Sequence, residues 1–326
     1  MGKDGVKIEE IRLEELSTRD FIAEAERELS SMVADGIAVN ALSGGVDSSV
    51  VTMLGHRALG KRLKTFFIDS GLMREGEPGF IASLFEKLGV PVEIVDARKT
   101  FFEALKGKVD PEEKREAITQ AFYPLIFSRL AREAGAGFVL QGTNFTDIEE
   151  TVAGIKRQHN IIEQLGIDPA EAYGYKIVEP LIRLRKPAIR MLGKALDLPE
   201  QIYQRPPFPG PALAARIIGE VTPERVDAVR KATEIVEEEL QNTGAFQYLA
   251  ILHEDRVTGI REGRRDYGLQ IEVRCWDSED AKTGSPTRLP YETLFPLAER
   301  LTTEVPGVVS VTYNVTKKPP STIEAV

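Results

Sequence analysis

Residues 42–49 read LSGGVDSS and bring together three hydroxyls, two adjacent glycines and one carboxylate. They follow an apolar run at 37–42 (IAVNAL) and precede a helical pattern at 47–59. A turn from a buried strand into a helix is an anion site, because unpaired backbone N–H groups point outward and the helix dipole favours negative charge. Gly44 and Gly45 let the backbone approach an oxyanion closely, and Ser43, Ser48 and Ser49 add hydroxyl donors. The ligand suited to such a loop is a phosphate or pyrophosphate. No lysine follows the glycines as a GxxxxGK[ST] loop requires, and they are adjacent rather than spaced as GxGxxG. Asp47 places a carboxylate inside the loop, which is tolerable beside a triphosphate when Mg²⁺ lies between them. A lone SGG is equally well explained as a serine-capped helix start.

The elements that must hold this loop alternate between the two periodicities. Apolar residues at Phe21, Ala25, Leu29 and Met32 give a helix over 20–33. Strands are expected at 37–42, 63–68, 92–95 and 138–140, and helices at 47–59, stopped by Gly60, and at 79–88. Residues 112–134 predict a long helix with Pro124 as its point of interruption. Strands alternating with helices imply a parallel sheet covered on both faces. Four prolines, Pro206, Pro207, Pro209 and Pro211, mark a domain boundary near residue 200. Beyond it, Thr222 and Pro223 open a helix, strands are expected at 249–252, 269–274 and 308–315, and a helix at 291–303. The fold expected is α/β, with a doubly wound parallel sheet at 1–200 and a smaller α+β domain at 201–326.

Composition bounds the function. The 326 residues carry 42 Lys and Arg against 51 Asp and Glu, a net charge of −9, which argues against nucleic acid as the main partner. A single cysteine, Cys275, excludes an internal disulfide, a CxxC pair and a cysteine-rich zinc site, and it reads as a packing residue. No apolar run reaches the roughly 20 residues that span a bilayer, and the acidic start lacks a signal-peptide core, so a cytoplasmic location and no membrane partner are expected.

LSGGVDSS resembles the PP-loop of the ATP pyrophosphatases, also called N-type. The segments FFIDSGLMR (66–74), DPEEKR (110–115), QGTNFTDIEET (141–151), IKRQHN (155–160), FPGPAL (208–213) and KPPSTIE (318–324) are similar, in the same order, to those of the GMP synthetase family. The resemblance covers nearly the whole chain, and its last two segments are specific to that family among PP-loop proteins. It implies an adenine nucleotide alpha hydrolase-like PP-loop domain followed by a dimerisation domain, and hence a homodimer. It implies Mg²⁺ with ATP as cofactor and an ATP-dependent ligase: the C2 oxygen of xanthosine monophosphate is adenylated, pyrophosphate leaves, and ammonia displaces AMP to give GMP.

Carried over by position, the resemblance implies that Ser43, Gly44, Gly45, Val46, Asp47, Ser48 and Ser49 hold the pyrophosphate, with Asp47 also at the metal. Ile68 would lie against adenine, and Gly142 would line the nucleotide pocket. Lys156 and His159, on a segment resembling a lid, would join Asp47 as catalytic residues, Lys156 neutralising charge at the α-phosphate. Asp147, Glu150, Gln247, Lys318, Ile323 and Glu324 would meet the acceptor. Read without the family, Lys156 and His159 are solvated side chains, and Asp147, Glu149 and Glu150 are an exposed helix start. The fused glutaminase of many relatives needs a nucleophilic cysteine in a tight elbow, and only about 36 residues precede the first strand here. A separate glutamine amidotransferase subunit is therefore the expected source of ammonia.

Departures from the family pattern gather where the acceptor binds. Gln120 stands where an arginine is usual, as does Ser310, and both arginines are expected to grip the substrate phosphate. Giving up one charge-assisted hydrogen bond costs about 1.5–3 kcal/mol. Gln158 replaces a lid histidine, and the lid continues IIEQLGIDPAEAYG in place of GGLP. The 259–265 turn (GIREGRR) lacks its usual aspartate, and the chain ends Glu324-Ala325-Val326. Arg157, Arg261, Arg264 and Arg265 are candidate replacements for the missing charge. Two other readings stay open at this point: a paralogous PP-loop ligase acting on a different carbonyl or heterocycle, such as a tRNA base, and a non-catalytic dimeric protein that keeps the fold.

Overall fold

Four of the apolar runs and one short segment that periodicity does not mark form a parallel sheet. In the computed structural model, which describes residues 8–152, 174–205, 208–278 and 283–325, the strands are β1 (Ala38–Ala41), β2 (Leu63–Asp69), β3 (Val92–Asp96), β4 (Phe138–Leu140) and β5 (Lys176–Val178). Their order is β3-β2-β1-β4-β5. β1 pairs in parallel with β2 on one side (Ala38 opposite Leu63) and with β4 on the other (Ala38 opposite Phe138), and β4 pairs in parallel with β5. The chain winds outward from β1 to β3 and then returns to the other side, so the winding reverses between β1 and β4. That reversal makes the sheet doubly wound and opens a crevice at the carboxyl ends of the two strands.

Helix α1 (Thr18–Val33) is capped by Ser17, whose hydroxyl oxygen accepts from the Asp20 N–H, and buries Ile22, Ala25, Leu29 and Val33. Helix α2 (Val46–Leu59) buries residues around most of its girth, and Gly60 closes it with φ 54°. Both pack with a helix at Lys186–Ala195, which has Pro187 in its first turn. Helix α3 (Glu77–Lys87) precedes β3, and α4 (Arg98–Leu105) follows it. Helix α5 (Pro111–Gln120) starts at Asp110, whose carboxylate accepts from the N–H groups of Glu112 and Glu113. At Pro124 the chain does not break. It widens into a π-helical stretch, Ala121–Phe127, which accommodates the missing N–H, and continues as α6 (Ser128–Glu133). Helix α7 (Phe145–Val152) follows β4, the helix at Lys186–Ala195 is α8, and α9 (Glu200–Tyr203) is a single turn.

The chain divides into two compact units. One holds Met1–Ile68, Pro78–Asp96 and Phe122–Arg205; the other holds Asp69–Glu77, Ala97–Ala121 and Pro206–Val326. In the second, α10 (Pro223–Leu240) begins at Thr222, which caps the Arg225 N–H at 3.3 Å. It packs on a long antiparallel hairpin, β6 (Gln247–Arg261) and β7 (Arg264–Asp277). The hairpin far exceeds the apolar stretches expected at 249–252 and 269–274. Its outer half is largely solvated, with even Ile260 and Tyr267 exposed, and shows no alternation, yet pairing resumes beyond an irregularity between Leu252 and Arg256. Glu262 and Gly263, at φ 50° and 74°, make the two-residue turn. β8 (Ser285–Pro286) lies antiparallel to the end of β7, α11 (Tyr291–Glu304) packs against α10, and β9 (Val308–Tyr313) runs parallel to β7. Cys275 is buried, and burial pushes its thiol up, as suits a packing residue and not a nucleophile.

One ionised group ties the strands of this unit together. Glu272 on β7 accepts from His253 Nε2 of β6 (2.8 Å), from Arg274 Nε (2.5 Å) and from Asn314 Nδ2 just past β9 (2.9 Å). Burial alone raises its pKa, but the three donors more than offset this and hold the carboxyl at about 2 against an ordinary 4.5. A carboxyl depressed in the folded state contributes stability above its unfolded pKa, and that stability is lost as pH falls through the folded value. Acid unfolding followed by circular dichroism from pH 5 to pH 2 should show progressive loss of stability in the parent protein. The same titration of Glu272→Gln should show a smaller pH dependence over that window, from a lower starting stability.

Candidate active site

The LSGGVDSS turn lies at the carboxyl end of β1, in the crevice where the winding reverses. Gly44 takes φ 79°, and its carbonyl accepts from Arg205 Nη1 at 3.3 Å. Gly45 is the N-cap of α2, and Val46 and Asp47 form its first turn. The loop hydroxyls close on one another. Ser48 Oγ donates to the Gly45 carbonyl at 3.0 Å and accepts from the Ser43 N–H at 3.2 Å. Its one proton is thus committed, so in the 2.9 Å contact between the two side chains Ser43 is the donor. Ser49 Oγ is buried with no hydrogen-bond partner among the described residues.

The loop is fastened to the sheet from below. Thr65 on β2 donates to Asn40 Oδ1 at 2.8 Å, Asn40 Nδ2 donates to Thr52 Oγ1 at 2.5 Å, and Thr52 Oγ1 donates to the Ser48 carbonyl at 2.7 Å. All three side chains are buried. Each hydroxyl proton has one destination, so the chain of donors runs in a single direction from β2 through β1 into the first turn of α2.

Asp47 is the charged centre. Its carboxylate forms an ion pair with Lys186 Nζ at the start of α8, while Oδ1 is buried without a hydrogen-bond partner among the described residues. Its pKa lies above the ordinary carboxylate value. Burial is the main cause and the charge of Asp147 adds to it, whereas Lys186 and the neighbouring Asn144 side chain pull it down. Lys186 is placed by its neighbour. Arg185 makes a two-pronged contact with Glu149 at 2.8 Å each and a third with Glu10 at 2.8 Å, and it lies over the Phe145 ring.

The second wall comes from the turn after β4. A side chain at Gly142 would meet Asp47 Cβ at 3.1 Å and the Ser48 nitrogen at 3.3 Å, so this strand end closes tightly on the loop. Asn144 caps α7: its Oδ1 accepts from the N–H groups of Thr146 and Asp147, and Asp147 Oδ2 accepts in return from the Asn144 N–H. Asp147 thus has a structural role besides its charge beside Asp47. Ile68 is buried near the end of β2. Glu150 belongs to α7, but its side chain, like Lys156 and His159, lies outside the described residues.

The remaining expected acceptor residues all belong to the second unit. Gln247, at the start of β6, donates through Nε2 to Glu324 Oε1 at 3.0 Å. Ile323 belongs to an apolar cluster with Leu249, Ile251 and Trp276. Lys318 lies upstream on the same tail, its backbone paired with that of Gly284. Gln120 is the last residue of α5, and the Ser310 hydroxyl accepts from Gln270 Nε2 at 3.2 Å. Among the candidate replacement arginines, Arg261 is engaged with the Val308 carbonyl (2.7 Å) and Asp266 (3.3 Å), Arg264 and Arg265 are exposed at the hairpin turn, and Arg157 is outside the described residues.

Sequence reasoning missed two cations at the loop, Lys186 and Arg205, together with the Asn40 chain. The available signal was a cluster of basic residues, RLRKPAIR at 183–190, within an otherwise acidic chain. Arg216 was missed as well: it is buried in the second unit, with Nε 3.5 Å from Glu324 Oε2.

A serine-glycine phosphate loop at the switch point of a doubly wound sheet, with an acid and a lysine closed over it, defines a PP-loop enzyme that activates its substrate with ATP. Comparison with known families agrees: residues 28–144 match the asparagine synthase family and residues 233–325 the GMP synthase C terminal domain. The chain is 46% identical over 310 residues to the B subunit of the glutamine-hydrolyzing GMP synthase of Archaeoglobus fulgidus, covering 95% of this chain and 99% of that one. It is 44% identical to the corresponding protein of Thermococcus kodakarensis over 94% of this chain and 98% of the relative, and 45% identical to that of Pyrococcus furiosus over 93% and 96%. The chain belongs to this family of GMP synthase B subunits and is an ATP-dependent ligase. Membership favours xanthosine monophosphate amination over a paralogous ligase with another acceptor. Among the described residues no helix is long and apolar enough to cross a membrane.

The Asn40 chain yields a prediction. Asn40→Ala leaves the buried Thr65 hydroxyl without its acceptor and Thr52 Oγ1 without the amide that donates to it, and should destabilise the protein by about 1–3 kcal/mol in urea unfolding. Replacing all three residues by apolar ones of similar size (Asn40→Leu, Thr52→Val, Thr65→Val) should recover most of that stability, while the KM for ATP stays raised in both variants, because the first loses the amide that orients Thr52 and the second loses the Thr52 bond to the Ser48 carbonyl.

Proposed function

We propose that this chain aminates xanthosine monophosphate to GMP by way of an adenylated intermediate, and that residues 1–200 carry out the activation while residues 201–326 complete the acceptor site and form a homodimer. The observation that carries the reading is the phosphate loop over α2, with Lys186 paired to Asp47 beside it. Ser43, Gly44, Gly45, Val46, Ser48 and Ser49 hold the β- and γ-phosphates, and Arg205 adds positive charge behind Gly44. Gly142 and Ile68 border the nucleotide.

The residues present fit Mg²⁺ delivered with ATP. Asp47 offers a buried oxygen without a hydrogen-bond partner among the described residues, and Asp147 lies close enough to share its field. No group of three or more metal-ligating side chains exists among the described residues, which suits an ion held mainly by substrate phosphates. When bound, Mg²⁺ neutralises phosphate charge and makes pyrophosphate a better leaving group. In the reaction the C2 oxygen of the acceptor bonds to the α-phosphorus as the bond to pyrophosphate breaks. Ammonia then bonds to C2, gives up a proton, and AMP leaves with the original oxygen.

Lys186 holds Asp47 oriented and charged within the loop. Lys156 neutralises charge at the α-phosphate, His159 joins it as a catalytic residue, and Asp147, Glu150, Gln247, Lys318, Ile323 and Glu324 receive the acceptor. A separate glutamine amidotransferase subunit supplies the ammonia, in the cytoplasm. The test incubates the purified chain with Mg-ATP, xanthosine monophosphate and ammonium and follows the products by chromatography. GMP, AMP and pyrophosphate should form one-to-one-to-one. ATP binding without GMP would overturn the reading and direct the search to another acceptor. Lys186→Met should lower kcat by about 100-fold or more, since it removes the cation paired with Asp47. The KM for xanthosine monophosphate should change little.

A further inference from the structure

The tail that carries Lys318, Ile323 and Glu324 is held by one buried side chain that no sequence motif singles out. Arg274, on β7, directs Nη1 at three consecutive carbonyls: Thr322 at 2.8 Å, Ile323 at 3.2 Å and Glu324 at 3.3 Å. The other end of the same guanidinium is fixed, because Nε donates to Glu272 Oε1 at 2.5 Å. Glu272 is itself held by His253 and Asn314, so the arginine is braced from β6, β7 and the end of β9. Only 8% of Arg274 is exposed. Three carbonyls converging on one cationic nitrogen force the 322–324 backbone into a tight bend, which the Thr322 hydroxyl reinforces by donating to the Glu324 carbonyl at 2.5 Å. The bend turns the Glu324 side chain back toward Gln247 and buries Ile323 beside Trp276.

We propose that Arg274, braced by Glu272, is a positioning residue that sets the bend of the tail and so presents Glu324 and Lys318 to the acceptor. It acts through the tail and touches no substrate. The proposal rests on the reading of the tail as part of the acceptor site. A lysine cannot substitute fully, since a single ammonium lacks the planar fork that reaches Glu272 and the carbonyls from opposite ends.

The test uses the full chain with Arg274→Lys, Arg274→Ala and, as a milder change that keeps the arginine, Glu272→Gln. Two readouts are taken, hydrogen exchange of the 314–325 peptide and steady-state kinetics in each substrate. The expected result is faster exchange of the tail in all three variants. The KM for xanthosine monophosphate should rise about tenfold or more in Arg274→Ala, with the KM for ATP within about twofold of the parent. Arg274→Lys should give partial recovery and Glu272→Gln a smaller shift in the same direction. Parent-like tail exchange in Arg274→Ala overturns the proposal, as does an equal rise in both KM values. Faster exchange with an unchanged KM for xanthosine monophosphate, in a protein that makes GMP, also overturns it and leaves the proposed function standing. A parent protein that makes no GMP overturns the functional reading itself, and the inference falls with it.

Discussion

A buried amide couples the sheet to the phosphate loop. Asn40 lies in the central strand of a parallel sheet, where a side chain that can neither ionise nor reach water must find partners in the core. It finds one on each side: it accepts from Thr65 on β2 and donates to Thr52 on α2. Thr52 in turn holds the Ser48 carbonyl. The Ser48 peptide thereby becomes part of the sheet's hydrogen-bond network, and with it the orientation of the first N–H groups of α2. An apolar trio in these places would fill the same volume, but it would leave the loop to be set by the helix alone. Directional bonds fix an angle, whereas packing fixes only a position.

Above that fixed loop, charge decides the chemistry. Asp47 is a carboxylate taken out of water beside another, and burial first, then the charge of Asp147, shift it upward. Lys186 relieves it in part, and Arg185 places Lys186 by taking two carboxylates, Glu149 and Glu10, at the entry to α8. The pairing keeps the acid within the loop instead of expelling it.

Much of this was legible in the sequence, and the limit of legibility is contiguity. The phosphate loop could be read because its groups are adjacent, its strand and helix flank it, and its chemistry is local. Thr222-Pro223 and the 138–140 strand could be read for the same reason. Lys186 could not, because its partner lies 139 positions away and no spacing rule links them. The long β6–β7 hairpin was visible only in its inner half, where burial on one face imposes alternation; the outer half, solvated on both faces, carries no period. Pro124 was correctly seen as a disturbance, but whether a helix breaks or widens depends on the packing around it. β5 is three residues long, too short for any periodicity.

The departures at Gln120 and Ser310 look different once placed. Ser310 is not an empty position: its hydroxyl takes a hydrogen bond from Gln270 within the β7–β9 pairing, so a small polar side chain is built into the sheet there. Charge is instead concentrated nearer the tail, where Arg216 is buried beside Glu324 with the Phe208 ring 4.8 Å from its guanidinium, and Arg74 covers the same ring at 4.0 Å while gripping Glu237. Burial lowers the Arg216 pKa, and a cation kept charged in such a place needs anionic company. Glu324 supplies part of it through one oxygen and accepts from Gln247 with the other. The tail carboxylate is therefore oriented by residues from the start of β6 and from the segment before α10. Its geometry is a property of the second unit's core and not of the seven-residue motif that contains it.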